Sequence, residues 1–331
     1  MSSILQYYRH KRPFALESGL ILDEFTIGYH TFGHLDAEGN NVVWVCHALT
    51  ASSNAAEWWS GLIGPGRVID TDKYFVVCAN ILGSCYGTEA AIFEGETPAL
   101  ITIRDMVRAH ILLREHLGLA SIRLLMGGSM GGYQVLEWAL MEPDVIRELF
   151  LIGTGASESA WGIAIHTAQR LALEADPTWN LPSGGAAGLM AARAIGMLTY
   201  RTYQQYVNAQ TGPPGALQGF RAESYIRYQG EKLVRRFHAR NYWVLTRSMD
   251  SHNIGRGRDL DLEMALKSIR QRSLVMGIDS DLLCPFVEQK FLAQHLPQAR
   301  LIGIDSVYGH DGFLTESAKI SEYLAEWLRE A

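Results

Sequence analysis

The chain has 331 residues, of which 48% are hydrophobic and 19% charged, so it can bury a sizeable core and shows no bias towards disorder. Its formal net charge of −6 and the absence of a basic cluster argue against nucleic acid or anionic lipid as the main partner. The first residues, MSSILQYYRHKRPF, lack the features of a signal peptide, and no stretch approaches the roughly 20 apolar residues of a membrane span. We therefore expect a cytoplasmic protein.

The first quarter of the chain contains runs that are typical of buried β-strands. Residues 20–31 and 42–47 are rich in β-forming residues, and a polar turn separates them. The second run, VVWVCH, is continuously apolar, which predicts a strand buried on both faces, as in a parallel sheet. Residues 74–82 form a third run of this kind.

Helices then alternate with strands. Residues 101–119 have apolar side chains at helical spacing, and Gly118 provides a stop signal. A strand at 122–126, a helix to about Met141 and a strand at 148–156 follow. Alternation of this kind predicts an α/β fold with a mostly parallel, doubly wound sheet.

The strand rhythm stops in the middle of the chain. Residues 157–266 are rich in Ala, Arg, Tyr and Trp and are predicted to form several helices. Strands return at 273–278 and 299–305, and a helix closes the chain. We therefore predict an α/β core formed by 1–156 and 267–331, with an inserted helical cap at 157–266.

A glycine cluster lies at one predicted junction between a strand and a helix. Residues 127–131, GGSMG, match the pattern G-x-S-x-G in the context that this motif requires. A strand that turns directly into a helix strains its apex residue, and small neighbours let the two segments approach closely. The alternatives are a packing turn or a phosphate loop, but the segment lacks the G-K-[ST] of such a loop. We predict that Ser129, at the helix N-terminus, is a nucleophile.

A serine hydroxyl needs a base that takes its proton. Of the eleven histidines, His310 follows a late strand in a loop, where open α/β sheets place their sites. The supporting acid is expected after the preceding strand, where Asp279 and Asp281 are available. We prefer Asp281, which stands four residues before Pro285. The resulting chain order of serine, acid and histidine is that of α/β hydrolases.

Such a nucleophile also needs donors for the oxyanion that forms during attack. One should be the backbone N–H of Met130, directly after the nucleophile. The other should follow strand 42–47, and we favour the N–H of Leu49, with Ala48 or Thr50 as alternatives. His47 is expected to shape this loop and not to act as a base.

Metal and redox chemistry have little support in the sequence. No set of His, Cys and carboxylate residues has ligand spacing, so no metal is predicted. The four cysteines are widely spread without a C-x-x-C pair, and we expect them to be reduced. Cys85 lies in a glycine-flanked loop, where a packing role is favoured over a reactive one.

The chain resembles the homoserine O-acetyltransferases, which are α/β-hydrolase-fold acyltransferases of methionine biosynthesis. The resemblance is carried over nearly the whole length by the segments HALT, ITIRDMVRAH, GGSMGGYQVLEW, WGIAIHTAQRLALEADP, LTRSMDSH, DSDLLCP and DSVYGHDGFL, in this order. It implies an acetyl group that passes from acetyl-CoA to Ser129 and then to L-homoserine, with no tightly bound cofactor. It also implies that Arg201 binds the substrate carboxylate, that Asp311 binds the ammonium, and that the cap helices form a homodimer.

Two segments depart from the family pattern. The loop GTEAAIFEGETPAL (87–100) is shorter and more acidic than in the family, and RFHARNY (236–242) replaces an Asp-Ala-Asn or Asp-Pro-Asn run. Succinyl-CoA as donor and L-serine as acceptor therefore remain alternatives. A serine esterase on the same scaffold and a non-catalytic binding module are the other hypotheses, because fold alone does not decide the acceptor.

Overall fold

The computed structural model describes residues 4–90 and 98–330. Its strands are β1 (Gln6–His10), β2 (Phe14–Ala15), β3 (Ile21–Leu22), β4 (Phe25–Phe32), β5 (Val42–Cys46), β6 (Ile63–Gly64), β7 (Ile69–Asp70), β8 (Phe75–Ala79), β9 (Glu89–Ala90), β10 (Ile122–Gly128), β11 (Ile146–Ile152), β12 (Arg272–Ile278) and β13 (Ala299–Ile304). Its α-helices are α1 (Ala55–Trp58), α2 (Ile103–His116), α3 (Met130–Met141), α4 (Ala160–Glu174), α5 (Ala186–Tyr200), α6 (Tyr203–Gln210), α7 (Arg221–Val234), α8 (Ala239–Asp250), α9 (Leu262–Ser268), α10 (Phe286–His295), α11 (Gly312–Thr315) and α12 (Ser317–Arg329). Half of the divergent segment 87–100, residues 91–97, lies outside the described residues.

The central sheet is mostly parallel, as predicted. Within the described part of the chain its strands follow the order β1-β4-β8-β5-β10-β11-β12-β13, and β9 pairs with β4. Strand β4 is antiparallel to both of its neighbours, β1 and β8, whereas every pairing from β8 to β13 is parallel. Strand β5 is buried at all five residues between β8 and β10, which explains its unbroken apolar sequence.

Helices cover both faces of the sheet, and alternate residues of β10 reach the two cores. Leu125 packs in one cluster with Trp138. Leu124 and Met126 pack in the other, which also contains Trp59. Because successive side chains of a strand point to opposite faces, a strand with no polar alternation needs two apolar layers, and the helices supply them.

Local signals account for several element boundaries. Helix α2 begins with a capping box in which Thr102 and Asp105 satisfy each other's backbone N–H groups. It ends just before Gly118, which adopts a positive φ of 68°. The predicted run at 20–31 is divided in the structure into β3 and β4, because two acidic residues interrupt it. Strand β1 was not predicted, since its sequence QYYRH shows no apolar run.

Six helices, α4 to α9, lie between β11 and β12, in the region where the sequence predicts helices. The assignment of 157–266 as a separate cap remains a prediction. This region carries most of the large apolar side chains that are exposed on the described surface, including Leu171, Leu198, Tyr203 and Leu217. None of the helices in the described ranges is long and apolar enough to cross a membrane.

Candidate active site

Ser129 occupies a strained position between β10 and α3. Its backbone has φ 54° and ψ −129°, a conformation that a non-glycine residue rarely adopts. The flanking glycines are required because the neighbouring main-chain segments approach each other closely. A Cβ atom on Gly131 would lie 2.2 Å from the carbonyl oxygen of Cys46. A Cβ atom on Gly127 would lie 2.5 Å from the carbonyl carbon of Gly131. The sequence pattern therefore has the physical cause that was expected of it.

The structure brings together the three side chains that the sequence singled out. His310 Nε2 lies 2.9 Å from Ser129 Oγ, and His310 Nδ1 lies 2.6 Å from Asp281 Oδ2. The other oxygen of Asp281 accepts hydrogen bonds from the backbone N–H groups of Leu283 and Cys284, at 2.8 and 2.9 Å. The carboxylate is thus fixed from both sides, and it orients the imidazole towards the serine.

The surroundings of His310 favour its protonated form. Burial alone would lower the pKa of this histidine, but the charge and hydrogen bond of Asp281, with smaller contributions from Asp311 and Glu158, raise it above its ordinary value. A base of raised pKa is suited to taking a proton from a hydroxyl.

The sequence did not predict a second pair of acidic groups near the triad, the carboxyl groups of Glu158 and Glu288. Tyr133 donates a hydrogen bond to Glu158, at 3.1 Å. Burial raises the pKa of Glu158, and burial together with the charges of Glu158 and Asp281 raises the pKa of Glu288 to about 7. These residues come from distant parts of the chain without a motif, so the sequence offered no signal for their proximity.

Of the two expected oxyanion donors, Met130 directly follows Ser129 and Leu49 lies on the loop after β5. Residues 48–51 form a turn closed by a 3.0 Å hydrogen bond from the Ala51 N–H to the Ala48 carbonyl, and Leu49 is one of its two central residues. Leu49 lines the same cavity as Ser129. Met130 is the first residue of α3, so its N–H has no acceptor within the helix.

His47 is fully buried beside this turn. Its Nδ1 lies 2.9 Å from the carbonyl oxygen of Ala48, and its Nε2 accepts the backbone N–H of Ile81 at 3.2 Å. Burial lowers the pKa of His47 to about 4. The neutral ring therefore connects the turn to the end of β8, which agrees with the expected loop-shaping role.

Arg201 and Asp311 contact each other. Arg201 Nε donates to Asp311 Oδ2 at 2.9 Å, and both side chains are mostly buried. Asp311 lines the cavity that contains Ser129 and His310, whereas Arg201 is not among its lining residues. The predicted ammonium ligand is thus on the cavity wall, and the predicted carboxylate ligand contacts it without lining the cavity.

The cavity has a volume of about 600 Å³ and contains polar groups that the sequence did not single out. Arg193, on α5, lines it with its guanidinium over the Tyr200 ring at 5.3 Å, and within the described residues it has no carboxylate partner. His166, on α4, also lines it, and its Nδ1 lies 2.8 Å from Asp250 Oδ1. A helical arginine with apolar neighbours gives no local signal that distinguishes a cavity residue from a surface residue.

The cysteines are free in the structure. Among the described residues, Asp281, Cys284 and His310 form a group whose potential metal-ligand atoms lie within 4.8 Å of one another. Asp281 and His310 are already hydrogen-bonded to each other, and burial raises the pKa of the Cys284 thiol well above its ordinary value. Burial also raises the pKa of Cys85, which disfavours its thiolate.

Comparisons with known proteins agree with this geometry. A family model described as the alpha/beta hydrolase fold matches residues 41–317. The homoserine O-acetyltransferase of Trichormus variabilis is 43% identical, over 97% of this chain and 93% of that protein. The solved homoserine O-acetyltransferase from Staphylococcus aureus is 28% identical with a TM-score of 0.84, over 98% of this chain and 95% of that chain. The structure of esterase E22, 21% identical with a TM-score of 0.88 over 98% of this chain and 100% of that chain, shows the shared fold. This chain belongs to the homoserine O-acetyltransferase family, whose members have the α/β-hydrolase fold.

Proposed function

We propose that this protein transfers an acetyl group from acetyl-CoA to the hydroxyl of L-homoserine through an acetyl-serine intermediate, as a step of methionine biosynthesis. One observation carries the proposal: in a member of this family, a series of hydrogen bonds runs from Ser129 in the cavity wall through His310 to Asp281. No metal or tightly bound cofactor enters the proposed steps.

The first half-reaction acetylates the serine. Oγ of Ser129 attacks the thioester carbonyl carbon while its proton passes to His310 Nε2, and Asp281 stabilises the imidazolium. The oxyanion is held by the N–H groups of Leu49 and Met130. When the tetrahedral intermediate collapses, the carbon–sulfur bond breaks, and the sulfur takes the proton from Nε2 as free CoA leaves.

The second half-reaction uses the same groups. The homoserine hydroxyl gives its proton to His310 Nε2 and attacks the acetyl carbonyl, and the same two N–H groups stabilise the oxyanion. Collapse of this intermediate breaks the bond between Ser129 Oγ and the acetyl carbon, and Oγ recovers a proton from Nε2. O-acetylhomoserine leaves, and the enzyme returns to its starting state.

The acceptor is a zwitterion, and the cavity wall offers one charge for each of its ends. Asp311 is suited to the ammonium: Arg201 holds its Oδ2, which orients the carboxylate and leaves Oδ1 available. Arg193 is suited to the carboxylate, because its guanidinium lies on the cavity wall without an ion-pair partner among the described residues. In this arrangement Arg201 does not bind the substrate itself; it orients the Asp311 carboxylate that does.

Mass spectrometry after mixing with acetyl-CoA is the test of this function. We expect an acetyl adduct on Ser129, its disappearance when L-homoserine is added, and no adduct in Ser129→Ala. Succinyl-CoA, L-serine and water are compared as donor and acceptors in the same assay. An adduct that is lost to water as quickly as to homoserine would identify an esterase, and the absence of an adduct would refute the proposal.

The carboxylate assignment has its own test. Arg193→Gln should raise the KM for homoserine by at least about tenfold, because a charge-assisted pair is lost, while acetylation of Ser129 stays near normal. Arg201→Gln should raise KM less, since Asp311 remains in place. The opposite ranking would return the carboxylate to Arg201.

We also propose that the protein is a cytoplasmic homodimer formed through the cap helices. The support is that 157–266 carries most of the large apolar side chains exposed on the described surface, including Leu198 and Tyr203, which association of two chains would bury. Light scattering should give twice the chain mass for the wild type and a lower mass for Tyr203→Glu. Ile21→Glu, also exposed but outside this region, is the matched control. A monomeric wild type would refute this assembly.

A further inference from the structure

We propose that Arg236 is a positioning residue for acyl transfer: it holds the turn that presents the Leu49 N–H to the oxyanion, an inference that rests on the proposed function. Arg236 follows α7 in the helical region, two residues after its last residue, Val234. It belongs to the segment 236–242 that departs from the family pattern.

The Arg236 guanidinium contacts three oxygen atoms of two residues that line the same cavity as Arg236 itself. Nη1 of Arg236 donates to the carbonyl oxygen of Thr50 at 2.5 Å and to the hydroxyl of Tyr86 at 2.7 Å. Nη2 donates to the hydroxyl oxygen of Thr50 at 3.2 Å. Two of these bonds therefore fix the main chain and the side chain of the same residue.

Thr50 is the second central residue of the 48–51 turn, beside Leu49. The N–H groups of both central residues take no part in the hydrogen bond that closes the turn, so they are free to face an oxyanion. The Thr50 carbonyl belongs to the peptide plane between Thr50 and Ala51, and the second bond holds the Thr50 side chain. Together the two bonds restrict the backbone torsions of Thr50, and through them the adjoining Leu49 backbone. Arg236 is therefore bound to the part of the turn whose orientation matters for the reaction.

The two ends of this loop are fixed from within the core. His47 connects its start to Ile81, and the Ser53 N–H donates to Asn80 Oδ1 at 2.8 Å. Within the described residues, the carbonyl and hydroxyl of Thr50 are held from the solvent side by Arg236. The ends of the loop are thus set by the core, and its middle is set by a residue that belongs to the helical region.

This arrangement predicts a loss of rate and not a loss of fold. Without Arg236 the turn keeps its closing bond and its core contacts, but the Leu49 N–H is no longer held at the angle that a tetrahedral oxyanion requires. Complete removal of an oxyanion donor costs about 10²–10³-fold in rate, so misorientation of one donor should cost about tenfold. Both half-reactions should slow alike, because each passes through an oxyanion at the same place.

The experiment compares Arg236→Met with Arg235→Met. Arg235 is the adjacent arginine, and its contact is an exposed ion pair with Glu231 at 3.4 Å. The rates of Ser129 acetylation and deacetylation are measured in single turnovers with a phosphate-free acetyl ester and with acetyl-CoA. The inhibition constant of an alkyl boronic acid, which forms a tetrahedral anion on the serine, reports on the oxyanion site directly. If Arg236 only stabilised the fold, its replacement would not weaken boronate binding in a protein that remains folded.

For Arg236→Met we expect both rates to fall about tenfold with either donor, boronate binding to weaken by a similar factor, and the KM for homoserine to change less than twofold. Arg235→Met should match the wild type. Guanidinium ion should partly restore Arg236→Ala, and Arg236→Lys should lie between the wild type and Arg236→Met, since an ammonium keeps the charge but not the fork.

Two results would overturn the proposal. One is an Arg236→Met enzyme with the rates and boronate affinity of Arg235→Met. The other is a defect confined to the KM for acetyl-CoA and absent with the phosphate-free ester, which would make Arg236 a ligand of the donor's phosphates. Failure of the proposed function is distinguishable, because the wild type itself would then form no acetyl-serine.

Discussion

Replacing Gly131 by alanine tests whether the turn at Ser129 depends on close backbone contact. The added Cβ would lie 2.2 Å from the carbonyl oxygen of Cys46, whereas ordinary contact begins at 3.4 Å, so the two segments would have to separate by about 1 Å. The obstructing atom cannot rotate away easily, because Cys46 ends β5 and pairs with Gly127 of β10. Because the obstructing atom belongs to the main chain, the cost of overpacking should lie at the upper end of its usual range, about 3 kcal/mol, while alanine in a helix gains about 1 kcal/mol over glycine. We expect a net loss of about 2 kcal/mol in the free energy of unfolding.

The same displacement should affect the reaction. Cys46 leads through His47 into the turn that carries Leu49, so a shift of about 1 Å would move the oxyanion donor relative to Ser129. Misplacement by that distance costs about 10²-fold in rate. Acetylation of the serine in a single turnover measures this effect, and urea unfolding measures the stability.

Gly212→Ala is the matched control. A Cβ on Gly212 would approach its nearest atom, Cγ of Arg221, only to 4.0 Å, and the backbone there has no positive φ. This variant should stay within about 0.5 kcal/mol of the wild type with an unchanged rate. If Gly131→Ala behaved in the same way, the glycine would not be required by contact, and the explanation of the motif given above would be wrong.

Four further outcomes are expected. Asp281→Asn should lower kcat by about 10⁴-fold, because an amide does not stabilise the imidazolium of His310, and a loss of less than tenfold would contradict the triad. The acid limb of the kcat/KM profile should have its midpoint above 6.5, because Asp281 outweighs burial and raises the pKa of His310; a midpoint below 6.5 would contradict this. Burial and the charge of Glu158 raise the pKa of Glu288 from 4.5 to about 7. The free energy of unfolding of the wild type should therefore fall as pH rises through this interval. At pH 8 Glu288→Gln should be more stable than the wild type by about 2 kcal/mol, a value reduced because Glu288 is partly exposed. Burial lowers the pKa of His110 to about 3, so the free energy of unfolding should fall as pH drops below 6.5, by about 2 kcal/mol at pH 5. Urea unfolding of His110→Leu should lack this part of the acid sensitivity.

The elements that the sequence predicts well are those whose cause is local. The turn around Ser129 is specified by four glycines within six residues. Gly127 and Gly131 face main-chain atoms, and Gly128 and Gly132 face the side chains of Phe313 and Thr154, each at a distance that leaves no room for an added Cβ atom. Strand β5 is specified by its unbroken apolar run. The positions of Asp281 and His310 follow from topology, since the carboxyl ends of parallel strands meet along one edge of the sheet.

The features that the sequence does not predict depend on contacts between distant segments. Arg193 and Arg201 lie eight residues apart on and just after one helix, and each is a plausible carboxylate ligand by chemistry alone. Only the packing of α5 decides which side chain reaches the cavity. The proximity of Glu158 and Glu288 has the same origin, because the loop before α4 and the first turn of α10 bring their carboxyl groups near each other.

If the proposed function is correct, acceptor choice should depend on charge placement more than on the triad. The proposed triad and oxyanion donors would serve water as well as an alcohol, since fold alone does not decide the acceptor. Water offers neither an ammonium to Asp311 nor a carboxylate to Arg193, so it gains no positioning from the cavity wall. A zwitterionic alcohol gains both, and holding a hydroxyl in place converts a bimolecular encounter into a nearly unimolecular step. The Arg201–Asp311 ion pair orients the acid in the absence of substrate, so in the proposed reaction this wall would be ordered before an acetyl-serine forms. On this hypothesis, selectivity for transfer over hydrolysis depends on Arg193 and Arg201 of the helical region and on Asp311, which directly follows His310.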